Sequence, residues 1–297
     1  MGYIQLGIVI DVDLSFAEFV IEYLSGSPQI EKIVSHPAAK HTYTHAKNFG
    51  NTNYDIHKFW TDILNRYLGN ESIVHAIRDC VNFLEESNNE LQEIFRRLKR
   101  YLPSTKSISC TLYANFGYDI GIVSEGSALI NLGHSFFQED HRELLYMSMH
   151  ELHHAGYTHY NPIFTLADLK KTSDLLSAVR YATHLEGLAV YAPMAIRLEQ
   201  KGLSHEDYQA LIDSKVRKER VNEYFKTYRD LKDTPIRELT SDDMEILEVM
   251  SGRNKRLWYI TGAHMAESID KKLGRNQLVQ TIVDGPESFF QAYSEIK

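Results

Sequence analysis

His150-Glu151-Leu152-His153-His154 is the stretch from which the rest of the chain is read, an H-E-x-x-H pattern inside an apolar run. On a helix, residues four apart share a face, so His150 and His154 can bring two imidazole nitrogens to one point. Glu151 sits one residue round, beside that point without being required to ligate anything there. Two neutral nitrogens, a third protein ligand from elsewhere and one open position for water make the donor set of a catalytic zinc site. The surroundings favour a helix. Asp140 with Glu143 three residues on has the spacing of a capping box, and Gly156 stands where a left-handed C-cap would fall. Between them Leu144, Leu145, Met147, Met149, Leu152 and Ala155 cover more than one face, so the helix is expected to be enclosed by protein. Enclosed imidazoles and a carboxylate need partners, and a metal ion supplies them most economically.

A third ligand is the next requirement. The longer pattern H-E-x-x-H-x-x-G-x-x-H does not continue here, because Tyr157 and Tyr160 hold the glycine and third-histidine places. A glutamate on a following helix is the other route, and Glu186 stands in Thr183-His184-Leu185-Glu186-Gly187-Leu188-Ala189-Val190-Tyr191. A carboxylate among Leu185, Leu188, Ala189 and Val190 is costly to bury without a cation, whereas an ordinary surface glutamate would have polar neighbours. His150, His154 and Glu186 are therefore the candidate Zn²⁺ ligands, with Glu151 as candidate general base.

His150-Glu151-x-x-His154 followed by Glu186-Gly187-Leu188-Ala189-x-Tyr191 resembles the gluzincin zinc metallopeptidases, the thermolysin and aminopeptidase side of the H-E-x-x-H clan. More narrowly it is similar to groups of zinc-dependent peptidases whose second motif reads E-G-[LA]-A-x-Y and whose later helix carries Y-x-x-G-x-x-[FM]. Tyr259-Ile260-Thr261-Gly262-Ala263-His264-Met265 fits that element, with Gly274 and Leu278 following. The likeness spans about the last two-thirds of the chain, and the two zinc motifs are its specific part. It implies a peptide or protein substrate and a small sheet ahead of the zinc helix whose edge strand pairs with extended substrate, residues 127–132 being the candidate edge. It also implies a Tyr or His from the C-terminal helices that steadies the oxyanion: Tyr259 first, then His264 and Tyr191. Thermolysin-like enzymes place an aspartate four residues after the third ligand; Val190 is there in this chain, so second-shell support must come from another residue.

The remaining composition narrows the class. The chain has 297 residues, 43% of them hydrophobic, enough for a substantial core in one large domain or two. A net charge of -8 argues against a nucleic-acid partner, whose phosphates would be repelled. No apolar run is long enough for a membrane span. The opening residues lack a basic region and are interrupted by Asp11 and Asp13, unlike a signal peptide. The two cysteines, Cys80 and Cys110, read as reduced, packed thiols, and a cytoplasmic location is expected.

Residues 14–101 read as helical almost throughout, with Phe16, Phe19, Val20, Tyr23 and Leu24 on one apolar face and Phe59, Trp60, Ile63, Leu64 and Tyr67 on another. Residues 73–102 read as one long helix ending at Pro103. His41 and His45 are four apart and could chelate a metal, but without an acidic neighbour they read as packing or surface histidines. After Pro103, Ile108, Cys110 and Leu112 alternate with polar residues in a half-buried strand, and residues 120–123 and 127–132 give two more. Residues 165–168 lead to a second helix over 173–200, which Pro193 should bend. Residues 216–230 read as an exposed, charged helix. The expected fold is thus α+β and mostly α-helical: a helical N-terminal region over 1–103, then a zincin-like catalytic region over 104–297 with a small mixed sheet preceding the zinc helix. A non-catalytic metal-binding protein and a di-iron helical protein are the alternatives. The second of these uses Glu151-x-x-His154 as one carboxylate-histidine element and needs another elsewhere, which the sequence does not offer.

Overall fold

The structure, a computed structural model, describes residues 7–163, 169–252 and 254–297. The approach segment 165–168 lies outside the described residues. The chain forms two compact units, Met1–Lys99 with Ser104–His159, and Arg100–Pro103 with Tyr160–Lys297. The fold is mostly helical with one small mixed sheet.

The first unit opens with β1 (Gly7–Asp13), then α1 (Ser15–Leu24), α2 (Ile30–Ser35), α3 (Pro37–Asn48), α4 (Ile56–Asn65), α5 (Glu71–Glu86) and α6 (Asn88–Leu98). It continues with β2 (Ser107–Asn115), β3 (Gly121–Ser124), β4 (Ser127–Asn131), α7 (Ser135–Glu139) and α8 (Arg142–Thr158). The sheet order is β1-β2-β4-β3. β1 and β2 are parallel with Gly7 opposite Ser107, β2 and β4 are parallel with Leu112 opposite Ala128, and β3 runs antiparallel to β4 with Gly121 opposite Ile130. The expected alternation in β2 holds: Ile108, Cys110, Leu112 and Ala114 are buried, and Ser107 and Ser109 are exposed. In β4 the successive residues Ala128, Leu129, Ile130 and Asn131 are all buried, so both faces of that strand are covered. Helices α8 and α3 pack on it, and α1 packs on the neighbouring β2.

Several expectations change here. β1 is an unexpected strand, formed because Ile8-Val9-Ile10 is β-branched and finds β2 as a partner 100 residues later. The long helix over 73–102 is two helices, since Ser87 ends α5 and the polar Asn88 and Asn89 begin α6. β4, which includes most of residues 127–132, is an interior strand hydrogen-bonded on both sides. It therefore cannot be the substrate-pairing edge; β3 and β1 are the edges. The β3–β4 turn is a two-residue hairpin with Glu125 at φ 49° and Gly126 at φ 78°, the left-handed pair that matches strand twist.

The second unit is helical: α9 (Thr172–Tyr191), α10 (Met194–Gln200), α11 (Glu206–Ile212), α12 (Ser214–Asp233), α13 (Ser241–Ser251), α14 (Leu257–Leu273), α15 (Arg275–Asp284) and α16 (Pro286–Ile296). The expected irregularity at Pro193 is a complete break between α9 and α10. α14 packs along α9, and α11, α12, α13, α15 and α16 gather round α14. The charged helix α12 is not simply exposed: Tyr224, Tyr228 and Leu231 form a buried stripe against Leu175, Val179, Met250 and Leu257.

Candidate metal centre

α8 is enclosed as its composition requires. Among Glu143–Tyr157 every residue but His150 is buried, including Glu151 at 5% exposure and His154 at 7%. Gly156 does not cap it; the helix runs on to Thr158 with His159 as its C-cap, because Ala155, Gly156 and Tyr157 are held in the core. Asp140 does serve its start, its Oδ1 accepting the Arg142 N–H at 2.9 Å.

His150 and His154 meet as the four-residue spacing predicts. Their rings are 4.6 Å apart between centroids and nearly perpendicular, and the two Nε2 atoms lie 3.0 Å apart. Bound to a common tetrahedral zinc at about 2.0–2.1 Å, two nitrogens would stand about 3.3 Å from one another, so the pair is already spaced for one ion. The Glu151 carboxylate lies against Gly121 of β3, where a Cβ would collide with Oε1 and Cδ. Gly121 is the first residue of an edge strand, and its missing side chain makes the space that Glu151 fills.

In the second unit Glu186 lies on α9, partly exposed. The next residue, Gly187, touches the backbone of Gly262 on α14. Tyr259 is in the first turn of α14; burial, then the charge of Glu186, push its proton affinity up, so the phenol keeps its proton and can donate. Val190 is buried beside Tyr208. Of the two alternative donors, Tyr191 is otherwise employed. The Tyr191 hydroxyl donates to Asp270 Oδ2 at 2.6 Å, and Arg275 grips the same oxygen. His264 faces Tyr293 at 6.1 Å between centroids, among the charges of Arg217, Glu267, Lys271 and Lys297.

One nitrogen each from His150 and His154 and one carboxylate oxygen from Glu186 lie within 4.8 Å of one another, and among the described residues this is the one group of three or more His, Cys, Asp or Glu side chains that could hold a metal ion. Two imidazoles and a carboxylate are the donor set of catalytic zinc sites, and they leave a coordination position over. His41 and His45 are not such a pair. His41 Nδ1 pairs with Glu125 at 3.2 Å, while His45 Nδ1 meets the Tyr118 hydroxyl at 3.2 Å and its ring stacks on Phe49.

Residues 37–296 match the family model described as "Putative zinc dependent peptidase (DUF5700)". No curated protein and no solved structure matches the chain.

Proposed function

The chain belongs to the DUF5700 family, described as "Putative zinc dependent peptidase", and from that premise we propose that it hydrolyses peptide bonds as a gluzincin-type metallopeptidase. His150, His154 and Glu186 hold Zn²⁺, and their approach to within 4.8 Å is the observation that carries the reading. Zinc, when bound, polarises the scissile carbonyl and brings the pKa of a bound water to about 7. Glu151 takes a proton from the attacking water and returns it to the leaving amine. The placement of its carboxylate against the edge strand β3 supports that role, since an extended substrate paired to the edge would present its carbonyl there. Tyr259 donates to the carbonyl oxygen as negative charge develops, a contribution of roughly 10²–10³ in rate for donors of this kind.

No described helix is long and apolar enough to cross a membrane. The free, buried Cys80 and Cys110 accord with a reducing, cytoplasmic setting. The di-iron alternative needs a second set of ligands beside the first, and among the described residues His150, His154 and Glu186 are the one group of three or more candidate ligands. The test is Glu151→Gln. Zinc content should be retained while peptide hydrolysis falls by at least about a thousandfold. Full activity in that variant rules the mechanism out.

A further inference from the structure

Arg256 occupies an unusual place. It is the N-cap of α14 with φ 46° and ψ 50°, a left-handed conformation that a non-glycine residue keeps only where its surroundings enforce it. Its Nε donates to Asp207 Oδ1 at 2.5 Å, and Asp207 is 1% exposed. The guanidinium carbon stands 3.7 Å from the centre of the Tyr259 ring, and Glu186 is near enough for its charge to act on that of Arg256. Position and orientation are thus fixed by a buried carboxylate beneath and an aromatic face beside.

The manner of pairing separates this arginine from a structural one. Arg237 spends both terminal nitrogens on Asp243, Nη1 at 2.6 Å and Nη2 at 3.0 Å. Arg256 spends only Nε. Among the described residues its Nη1 and Nη2 have no hydrogen-bond partner, and the side chain is 20% exposed. A planar pair of N–H donors, held rigid beside the proposed third ligand and the proposed oxyanion donor, matches a carboxylate in shape and charge.

We propose that Arg256 is a substrate-binding residue that grips a carboxylate of the peptide through Nη1 and Nη2, with Asp207 as the positioning residue that aims it. This rests on the peptidase reading of the same site. The carboxylate comes either from the peptide's C-terminus or from an acidic side chain.

The experiment uses the zinc-loaded full chain and N-acetylated peptides of one sequence, ending in a free acid or an amide and carrying either Asp or Asn. Hydrolysis is followed as kcat/KM, and binding to the zinc-loaded Glu151→Gln protein by calorimetry. A preference of at least about tenfold for the acid over its neutral partner is expected in one arm, and that arm identifies the source of the carboxylate. Arg256→Lys keeps a cation for Asp207 but loses the fork, and should reduce the preference to roughly twofold or less with zinc content unchanged. Arg256→Gln combined with Asp207→Asn removes fork and counter-charge together and should do the same; should it fail to fold, Arg256→Lys decides. Equal treatment of acids and amides by the wild type overturns the proposal, as does a preference that survives Arg256→Lys. So does a loss in Arg256→Lys that is equal for all peptides and tracks zinc content, which would make Arg256 a support for Glu186 alone. If no peptide is cleaved, the hydrolytic reading falls, while the calorimetric comparison still decides the role of Arg256.

Discussion

A Cβ on Gly187 would land on the Cα and carbonyl carbon of Gly262, and a Cβ on Gly262 would strike the Thr183 carbonyl oxygen and the Gly187 Cα. The backbones of α9 and α14 touch at this point, which only two glycines allow. Gly187 directly follows Glu186, and Gly262 lies one turn after Tyr259. The crossing therefore sets the separation between the proposed third ligand and the proposed oxyanion donor. Gly187→Ala or Gly262→Ala must push the helices apart, at a cost of about 1–3 kcal/mol for overpacking. Urea unfolding of the metal-free protein should show that loss, and zinc titration a weaker affinity. Wild-type values in both would mean that the contact positions nothing.

Gly121→Ala should act on the other half of the site. Its methyl would occupy the space of the Glu151 carboxylate, so Glu151 must turn aside while His150 and His154 stay in place on α8. The expected outcome is retained zinc with kcat reduced at least about tenfold, since a displaced base loses part of the roughly 10²–10⁴ that proton transfer contributes. Unchanged kcat would separate Gly121 from the site.

The two thiols should be inert in the folded protein. Burial pushes both Cys80 and Cys110 up to about 12, far from the range in which a thiolate forms. Alkylation followed by mass spectrometry should label neither in native buffer and both in denaturant. Rapid native labelling of either would contradict the burial of α5 or β2 described above.

Stability should fall as the medium is acidified, and His45 should account for part of the fall. Burial lowers its pKa from 6.5 to about 4, Asp119 offsetting only some of the effect. The folded chain thus holds a neutral imidazole where the unfolded chain takes up a proton. The contribution is complete above pH 6.5 and is lost as pH descends toward about 4. Urea midpoints measured across that window should decline, and His45→Gln should flatten the decline. His36 and His41, also lowered by burial, leave a residual slope. An unaltered slope in His45→Gln would show that His45 is already charged in the folded state.

The zinc helix was legible because it depends on local rules: four-residue spacing brings His150 and His154 together, and an apolar run on all faces means enclosure. Strands β2, β3 and β4 were legible for the same reason, through alternation in β2 and the short apolar runs of β3 and β4. The parts that escaped depend on partners distant in sequence. β1 is a strand because β2 lies beside it, and the sheet order that puts β3 rather than β4 at an edge is a matter of topology. Nothing local distinguishes Gly121 as a space for Glu151, although a glycine heading a β-branched strand is a usable hint. Arg256 and Asp207 are 49 residues apart and carry no motif. Their pairing needs the folded α11 and α14. At Gly156 the rule for C-caps failed, because core packing on either side carried the helix nearly one turn further, to a C-cap at His159.

The central claim is that His150, His154 and Glu186 converge on one zinc ion, and the direct measurement is zinc content per chain after exhaustive dialysis, for the wild type and for Glu186→Gln. About one zinc ion per wild-type chain and almost none in the variant, with far-ultraviolet circular dichroism unchanged, is the predicted result. A wild-type protein that binds no zinc, or a variant that holds it as tightly as the wild type, would contradict the account.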